Sequence, residues 1–186
     1  MHADGSRSEG VHIMPLPLRS KICGQLCRTC LLLVLAYCAG ATLAAVPEID
    51  QPAPALKGRL FSGAPFDLAQ MRGKVVLVNF YSSYCSFCAY EIGLLEALYE
   101  RYRADGLEVI AVGVDAPEDR PRVERMLGIY NLPGTMADEL TDNGFARRYP
   151  TPTAFIIDRD GVLRNRITGA KRPHHYQELV IPLLSR

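Results

Sequence analysis

The chain lacks a charge excess, a repeat and a low-complexity tract, and it has few cysteines where a folded domain would sit. Lys and Arg number 21 against 20 Asp and Glu, for a formal net charge of +1. Both signs are interspersed. No basic stripe or nucleic-acid recognition motif is present, so nucleic acid is not an expected partner. Of the cysteines, Cys23, Cys27, Cys30 and Cys38 lie in or beside an N-terminal apolar segment, which leaves only Cys85 and Cys88 in the body of the chain. Two cysteines do not make a disulfide-stapled scaffold. Past the first dozen residues, histidine occurs only as the adjacent His174 and His175. A zinc site needs about four ligands, so none is expected, and the two histidines read as ordinary helix-start residues. A cysteine hydrolase would need a histidine base and would leave the second cysteine without a role. The longest apolar run, from Leu31 to Val46, spans about 16 residues and is interrupted by Gly40 and Thr42. A spanning helix prefers about 20.

The N-terminal segment has its own order. Arg19, Lys21 and Arg28 precede Leu31-Leu32-Leu33-Val34-Leu35-Ala36-Tyr37, and small residues follow from Ala39 to Ala45. Basic, apolar, small is the order of an export signal. Residues 1–46 are therefore read as an N-terminal export signal or membrane anchor, with residues 19–46 its working part. Candidate cleavage points lie at Ala39-Gly40-Ala41 and Thr42-Leu43-Ala44, and Met14 is a candidate start. Leu35-Ala36-Tyr37-Cys38 is a poor lipoprotein box, because Tyr37 is too large for the position before a modified cysteine. Cys23-x3-Cys27-x2-Cys30 has the spacing of the iron–sulfur motif of radical-SAM enzymes. A cluster needs a folded cradle, and only a leader surrounds these thiols. Residues 47–55, with Pro47, Pro52 and Pro54, read as a linker, and residues 56–186 as one domain.

That domain is organised around one junction. Val75-Val76-Leu77-Val78-Asn79-Phe80-Tyr81 is a buried-strand run, and Cys85-Ser86-Phe87-Cys88 follows it. Beyond Glu91, Ile92, Leu95, Tyr99 and Tyr102 recur at three- and four-residue steps, one face of a helix. The dithiol thus sits where a strand ends and a helix begins, with Cys85 at the helix tip and Cys88 one turn inside. Free amides and the positive end of the helix dipole favour a thiolate at such a position. Before the junction, Leu56–Phe61 and Ala64–Leu68 read as strands around a Ser62-Gly63 turn. After it come a helix end at Asp105-Gly106, a strand over Leu107–Val114 and a helix from Ala116-Pro117-Glu118-Asp119 to Tyr130. A short strand over Leu132–Ala137 and a helical turn over Asn143–Arg148 are expected next. A hairpin then turns at Asp158-Arg159-Asp160-Gly161, and Pro173 opens a last helix to Leu184. The pattern is α/β with a mixed sheet. A Cys-x-x-Cys in this setting reads as a redox pair.

Three stretches resemble the TlpA/ResA-like branch of the thioredoxin fold: Lys74–Phe80 with Cys85-x-x-Cys88-x-x-Glu91, Leu107–Asp115, and Thr151-Pro152-Thr153-Ala154-Phe155-Ile156-Ile157-Asp158-Arg159-Asp160-Gly161. They occur in the family's order across residues 56–186. The resemblance implies a mixed central sheet flanked by helices, with an N-terminal β-hairpin extension and a central α/β insertion. It implies an extracytoplasmic thiol–disulfide oxidoreductase, exported to or anchored at a bacterial periplasm, most often a protein-disulfide reductase. The implied partners are a disulfide-containing protein, apocytochrome c among the candidates in cytochrome c maturation, and a membrane thiol electron donor. No cofactor beyond the redox-active disulfide and no metal is implied.

By the same resemblance, Cys85 is the nucleophile, Cys88 the resolving thiol, and Glu91 a carboxylate that relays protons or tunes Cys88. Thr151 and Pro152 line the substrate position, with a cis bond between them that frees the Thr151 backbone to pair with an extended substrate. Tyr84 replaces the family's usual tryptophan and is expected to flank the thiol as an aromatic wall. Asn79 stands where thioredoxins carry a buried aspartate, which makes Glu91 the better proton handler. Ser86-Phe87 between the cysteines departs from the family's usual proline and bears on the reduction potential. Ile92-Gly93 replaces a proline that usually kinks the helix, with Gly93 able to soften it instead. The competing readings are a thiol oxidase or isomerase on the same cysteines and a copper carrier using them as soft ligands. The threonine–cysteine arrangement of peroxiredoxins is absent around Cys85.

Overall fold

The uncharged, β-branched run at Val75–Tyr81 forms the middle of the main sheet, with all seven residues buried. A strand covered on both faces reads as a continuous apolar run rather than an alternating one. The computed structural model describes residues 46–145 and 149–185. The strands are β1 (Leu56–Arg59), β2 (Pro65–Asp67), β3 (Val75–Tyr81), β4 (Leu107–Gly113), β5 (Gly134–Met136), β6 (Asp142–Asn143), β7 (Thr153–Ile157) and β8 (Leu163–Thr168). The helices are α1 (Ser86–Tyr102), α2 (Arg120–Tyr130) and α3 (Pro173–Leu184).

The five-stranded sheet has the order β5-β4-β3-β7-β8. β3, β4 and β5 run parallel, while β7 and β8 run antiparallel to their neighbours. Successive residues of β3 point to opposite faces. Val75, Leu77 and Tyr81 pack with Ile92, Leu95 and Leu98 of α1, Val123 and Leu127 of α2, and Tyr176, Val180 and Leu183 of α3. Val76, Val78 and Phe80 face the other way, against Leu56, Phe66, Leu68 and Phe145. Each fully buried side chain of this size contributes roughly 1.5–3 kcal/mol relative to exposure.

The α1 periodicity holds. Ile92 and Leu95 are buried, and Tyr99 and Tyr102 pack on their flank. Gly93 faces α2, with the Tyr130 ring 3.3 Å from where a β-carbon would stand. A short 3-10 turn, Arg103–Asp105, ends at Gly106, whose φ of 96° suits a residue without a side chain.

The expected N-terminal hairpin is present as β1 and β2, paired antiparallel. It gains a third strand, because β6 pairs with β1 through Asn143↔Leu56 and Asp142↔Lys57. This corrects the helical turn expected from Asn143: Gly144 N donates to Ala55 O at 2.8 Å, and pairing with β1 outweighs the local preference. The remainder of that expected turn, residues 146–148, and the whole leader through residue 45 lie outside the described residues. In the stretch read as linker, Asp50 N donates to Leu163 O, Ala53 N to Gly161 O, and Leu163 N to Gln51 O. Residues 50–53 thus lie along the start of β8. Among the described residues no helix is long and apolar enough to cross a membrane.

Candidate active site

β3 ends at Tyr81, and the next four residues are held tightly. The Asp115 carboxylate, just past β4, accepts hydrogen bonds from Ser82 Oγ, Ser83 N and Ser83 Oγ, all at 3.0–3.1 Å. Cys85 N donates to Ser82 O at 3.1 Å. Cys85 is the N-cap of α1, with extended backbone and its carbonyl accepting from Cys88 N and Ala89 N. The dithiol therefore straddles the helix start, with both cysteines free.

The two thiols sit in different surroundings. Cys85 is half-buried, and its Sγ donates to Thr151 O at 3.8 Å. Cys88 is fully buried in the helix-side core. Burial, with the adjacent Cys85, pushes the Cys88 thiol up to about 12. The Thr151–Pro152 bond is cis, as the resemblance implied. Pro152 is buried and Thr151 half-buried.

Glu91 lies three residues beyond Cys88, on the inward face of α1, and is 1 % exposed. An ordinary acid near the start of a helix would face water. Its Oε2 accepts from Asn79 Nδ2 at 3.1 Å, and its Oε1 accepts from the Tyr176 hydroxyl of α3. Burial raises the pKa of Glu91 above its ordinary value, against the opposing pull of these two donors and of Lys171. The Tyr176 hydroxyl is held protonated by burial and by the carboxylate beside it. Two polar atoms near this cluster have no partner among the described residues, Asn79 Oδ1 and the buried Tyr81 hydroxyl. Burial holds the Tyr81 hydroxyl protonated, and the nearby Asp115 carboxylate adds to this.

Tyr84 stands beside the dithiol, exposed, and is fixed on its far side. Its hydroxyl donates to Asp119 Oδ1 at 2.6 Å, and the Arg122 guanidinium lies 4.4 Å from its ring centre. The structure thus brings Tyr84, Cys85, Cys88, Glu91, Thr151 and Pro152 together at the end of β3. His174 and His175 open α3 without large burial. Among the described residues no group of three or more His, Cys, Asp or Glu is arranged to hold a metal.

Tyr176 and Asp115 were not singled out by sequence reasoning as site residues. Tyr176 lies on the spacing Tyr176, Val180, Leu183, which marks an inward face. That spacing signals burial but not a carboxylate partner 85 positions earlier.

Chemically, a half-exposed thiol beside a sealed one, with a buried carboxylate three residues further along the same helix, can exchange a disulfide and move a proton. Known proteins agree with that chemistry. The pattern of the AhpC/TSA family matches residues 49–166. The thiol-disulfide oxidoreductase ResA of Bacillus thuringiensis subsp. konkukian is 31 % identical over 136 residues, covering 70 % of this chain and 76 % of that one. ResA of Geobacillus kaustophilus is 30 % identical over 152 residues, covering 76 % and 86 %. The crystal structure of a thiol:disulfide interchange protein of the thioredoxin family from Chlorobium tepidum superposes with a TM-score of 0.63 at 25 % identity, covering 75 % of this chain and 99 % of that one. The chain belongs to the AhpC/TSA family as a TlpA/ResA-like thiol–disulfide oxidoreductase of the thioredoxin fold.

Proposed function

We propose that this protein reduces disulfides in exported proteins, with Cys85 as nucleophile, Cys88 as resolving thiol and Glu91 as the proton acceptor for Cys88. The observation that carries the reading is the asymmetry of the two thiols. Cys85 is reachable at a helix N-terminus, and Cys88 is sealed one turn behind it, on the same buried face as Glu91.

The Cys85 thiolate attacks one sulfur of the substrate disulfide. The S–S bond breaks, a mixed disulfide forms on Cys85, and the departing substrate sulfur takes a proton. Cys88 gives its proton to Glu91 and attacks Cys85 Sγ. The second substrate sulfur leaves as a thiolate and takes a proton from water, Glu91 returns its proton to solvent, and Cys85 and Cys88 remain as a disulfide. Two electrons pass to the substrate, and a thiol donor outside the chain must restore the pair. The dithiol is the only redox group this cycle needs.

Thr151 and Pro152 offer backbone to an extended substrate, and Tyr84 forms the aromatic wall beside the thiol. The basic–apolar–small order of residues 19–46 supports export, with a membrane donor at hand on the far side. Apocytochrome c is the candidate substrate, since its paired cysteines must be reduced before haem attachment.

The test is the reduction potential of the Cys85/Cys88 pair, equilibrated against glutathione and dithiothreitol buffers and read by thiol alkylation. A value near about −270 mV supports a reductase that needs a donor. A value near about −120 mV reverses the direction and makes the protein an oxidant or isomerase. If no reversible couple forms, the redox reading fails and a soft-metal carrier takes its place.

A further inference from the structure

The start of α1 sends two aromatic side chains into solvent. Phe87 is 70 % and Tyr90 54 % exposed, and a three-residue spacing puts them on one face. With Ser86 they form one wall of an open groove of about 530 Å³, whose other wall is Ala170, Lys171 and Arg172. The groove is next to the dithiol along the chain, since its lining residue Ser86 directly follows Cys85. Its far wall is tied to the same place, since Gly169 N donates to Pro152 O at 2.8 Å and Thr151 O lies 3.8 Å from Cys85 Sγ. No carboxylate lines it. Among the described residues neither Lys171 nor Arg172 lies within ion-pair distance of a carboxylate, although the Lys171 charge also acts on the buried Glu91.

We propose that this groove seats the stretch of substrate next to the attacked disulfide, and that it selects a stretch carrying a large apolar side chain beside a carboxylate. The inference rests on the thiol–disulfide reading above and names the substrate class for that site. Clustered exposed aromatics mark docking positions, and aromatic and arginine side chains carry most of the energy at such surfaces. Cations at the rim steer an opposite charge and fix its register. The aromatic wall thus holds the segment, while Lys171 and Arg172 choose among segments.

The test mixes the reduced full-length protein with disulfide-bonded peptides whose residues beside one cysteine are Phe-Glu, Phe-Lys or Gly-Glu. Thiol release is followed against 2-hydroxyethyl disulfide, which is uncharged and too small to fill the groove. The Phe-Glu peptide should react roughly fivefold to tenfold faster than Phe-Lys. That gap should narrow in about 1 M salt, where the screening length falls to ~3 Å. Lys171→Glu combined with Arg172→Glu should reverse the preference between Phe-Glu and Phe-Lys. Tyr90→Ser should narrow the gap between Phe-Glu and Gly-Glu. Equal rates for the three peptides, or an unchanged preference in the double variant, would overturn the groove assignment while normal reduction of 2-hydroxyethyl disulfide left the reductase reading standing. A concentration-dependent dimer that buries Phe87 and Tyr90 would overturn it too, with a second copy as the occupant. Failure to reduce 2-hydroxyethyl disulfide would remove both readings together.

Discussion

A carboxylate sealed inside a protein holds its proton more firmly than one in water, unless donors around it favour the charge. Glu91 has two donors, but burial outweighs them, so its folded pKa lies above the ordinary 4.5. A raised acid contributes stability that is complete below the unfolded value and is lost as pH rises through the folded one. Glu91→Gln removes that loss. Its stability relative to the parent should therefore grow as pH is raised from 4.5 toward neutrality, read from urea melts at each pH. A gap that stays constant with pH would mean the folded value is not raised. Tyr176→Phe takes away the donor at Oε1, so the pH at which Cys88 resolves a mixed disulfide should move upward. Stopped-flow profiles of the second step would reveal it, whereas a purely structural role would lower stability by about 1–3 kcal/mol and leave the profile in place. The thiols divide the labour in the same way. Cys88→Ser should trap substrate as a stable mixed disulfide on Cys85, visible on a non-reducing gel, and Cys85→Ser should trap none.

The elements matter through the few contacts that aim the dithiol. The loop from Ser82 to Cys85 is not held by helix or sheet; Asp115 at the end of β4 does that work with its carboxylate. Asp115→Ala leaves the Ser83 amide and both hydroxyls without this acceptor. We expect a loss of about 1–3 kcal/mol in stability and faster protease cleavage between Tyr81 and Cys85. The seat of α2 is equally specific. At Gly113, the last residue of β4, a β-carbon would stand 2.6 Å from Val123 Cγ1 of α2 and 3.4 Å from Met136 Sδ of β5. Gly113→Ala must push α2 outward, at a cost of about 1–3 kcal/mol from overpacking, measurable by denaturant unfolding. Because α2 carries Arg122 against the Tyr84 ring, the same variant should also loosen Tyr84.

Over the whole molecule, one arginine joins three turns that are far apart in the chain. Arg159, in the β7–β8 turn, donates to Gly73 O before β3, to Asp105 O before β4 and to Leu184 O at the end of α3. A cation at a helix C-terminus is favoured by the dipole as well as by its hydrogen bonds. Arg159→Ala should cost about 1.5–3 kcal/mol. Amide exchange should rise at the end of α3 rather than at the dithiol, which lies at the opposite end of β3. The three-stranded sheet of β2, β1 and β6 closes the face of the main sheet away from the helices, so the helix-side face alone carries the site.

The part of this protein legible in the sequence is the part set by neighbours along the chain. β3 is an apolar run broken only by Asn79, α1 repeats every three to four residues, and the dithiol lies between them, so strand, helix and the position of Cys85 at a helix tip follow from local periodicity. The strand after Thr151-Pro152 was legible for the same reason, whereas the cis bond before it was implied by the family resemblance and not by periodicity. The rest depends on segments that meet across long loops. β6 exists because β1 offers it a free edge, and residues 50–53 are ordered by β8. Glu91 faces inward as a charge would not by default, because Asn79 of β3 and Tyr176 of α3 close over it. A hydrogen bond between residues 85 positions apart leaves no periodic trace in the chain. Composition and spacing therefore determined that two thiols would stand at a helix start. Only the tertiary structure decided that one is open, the other sealed, and a carboxylate buried on the same face of the helix as the sealed one.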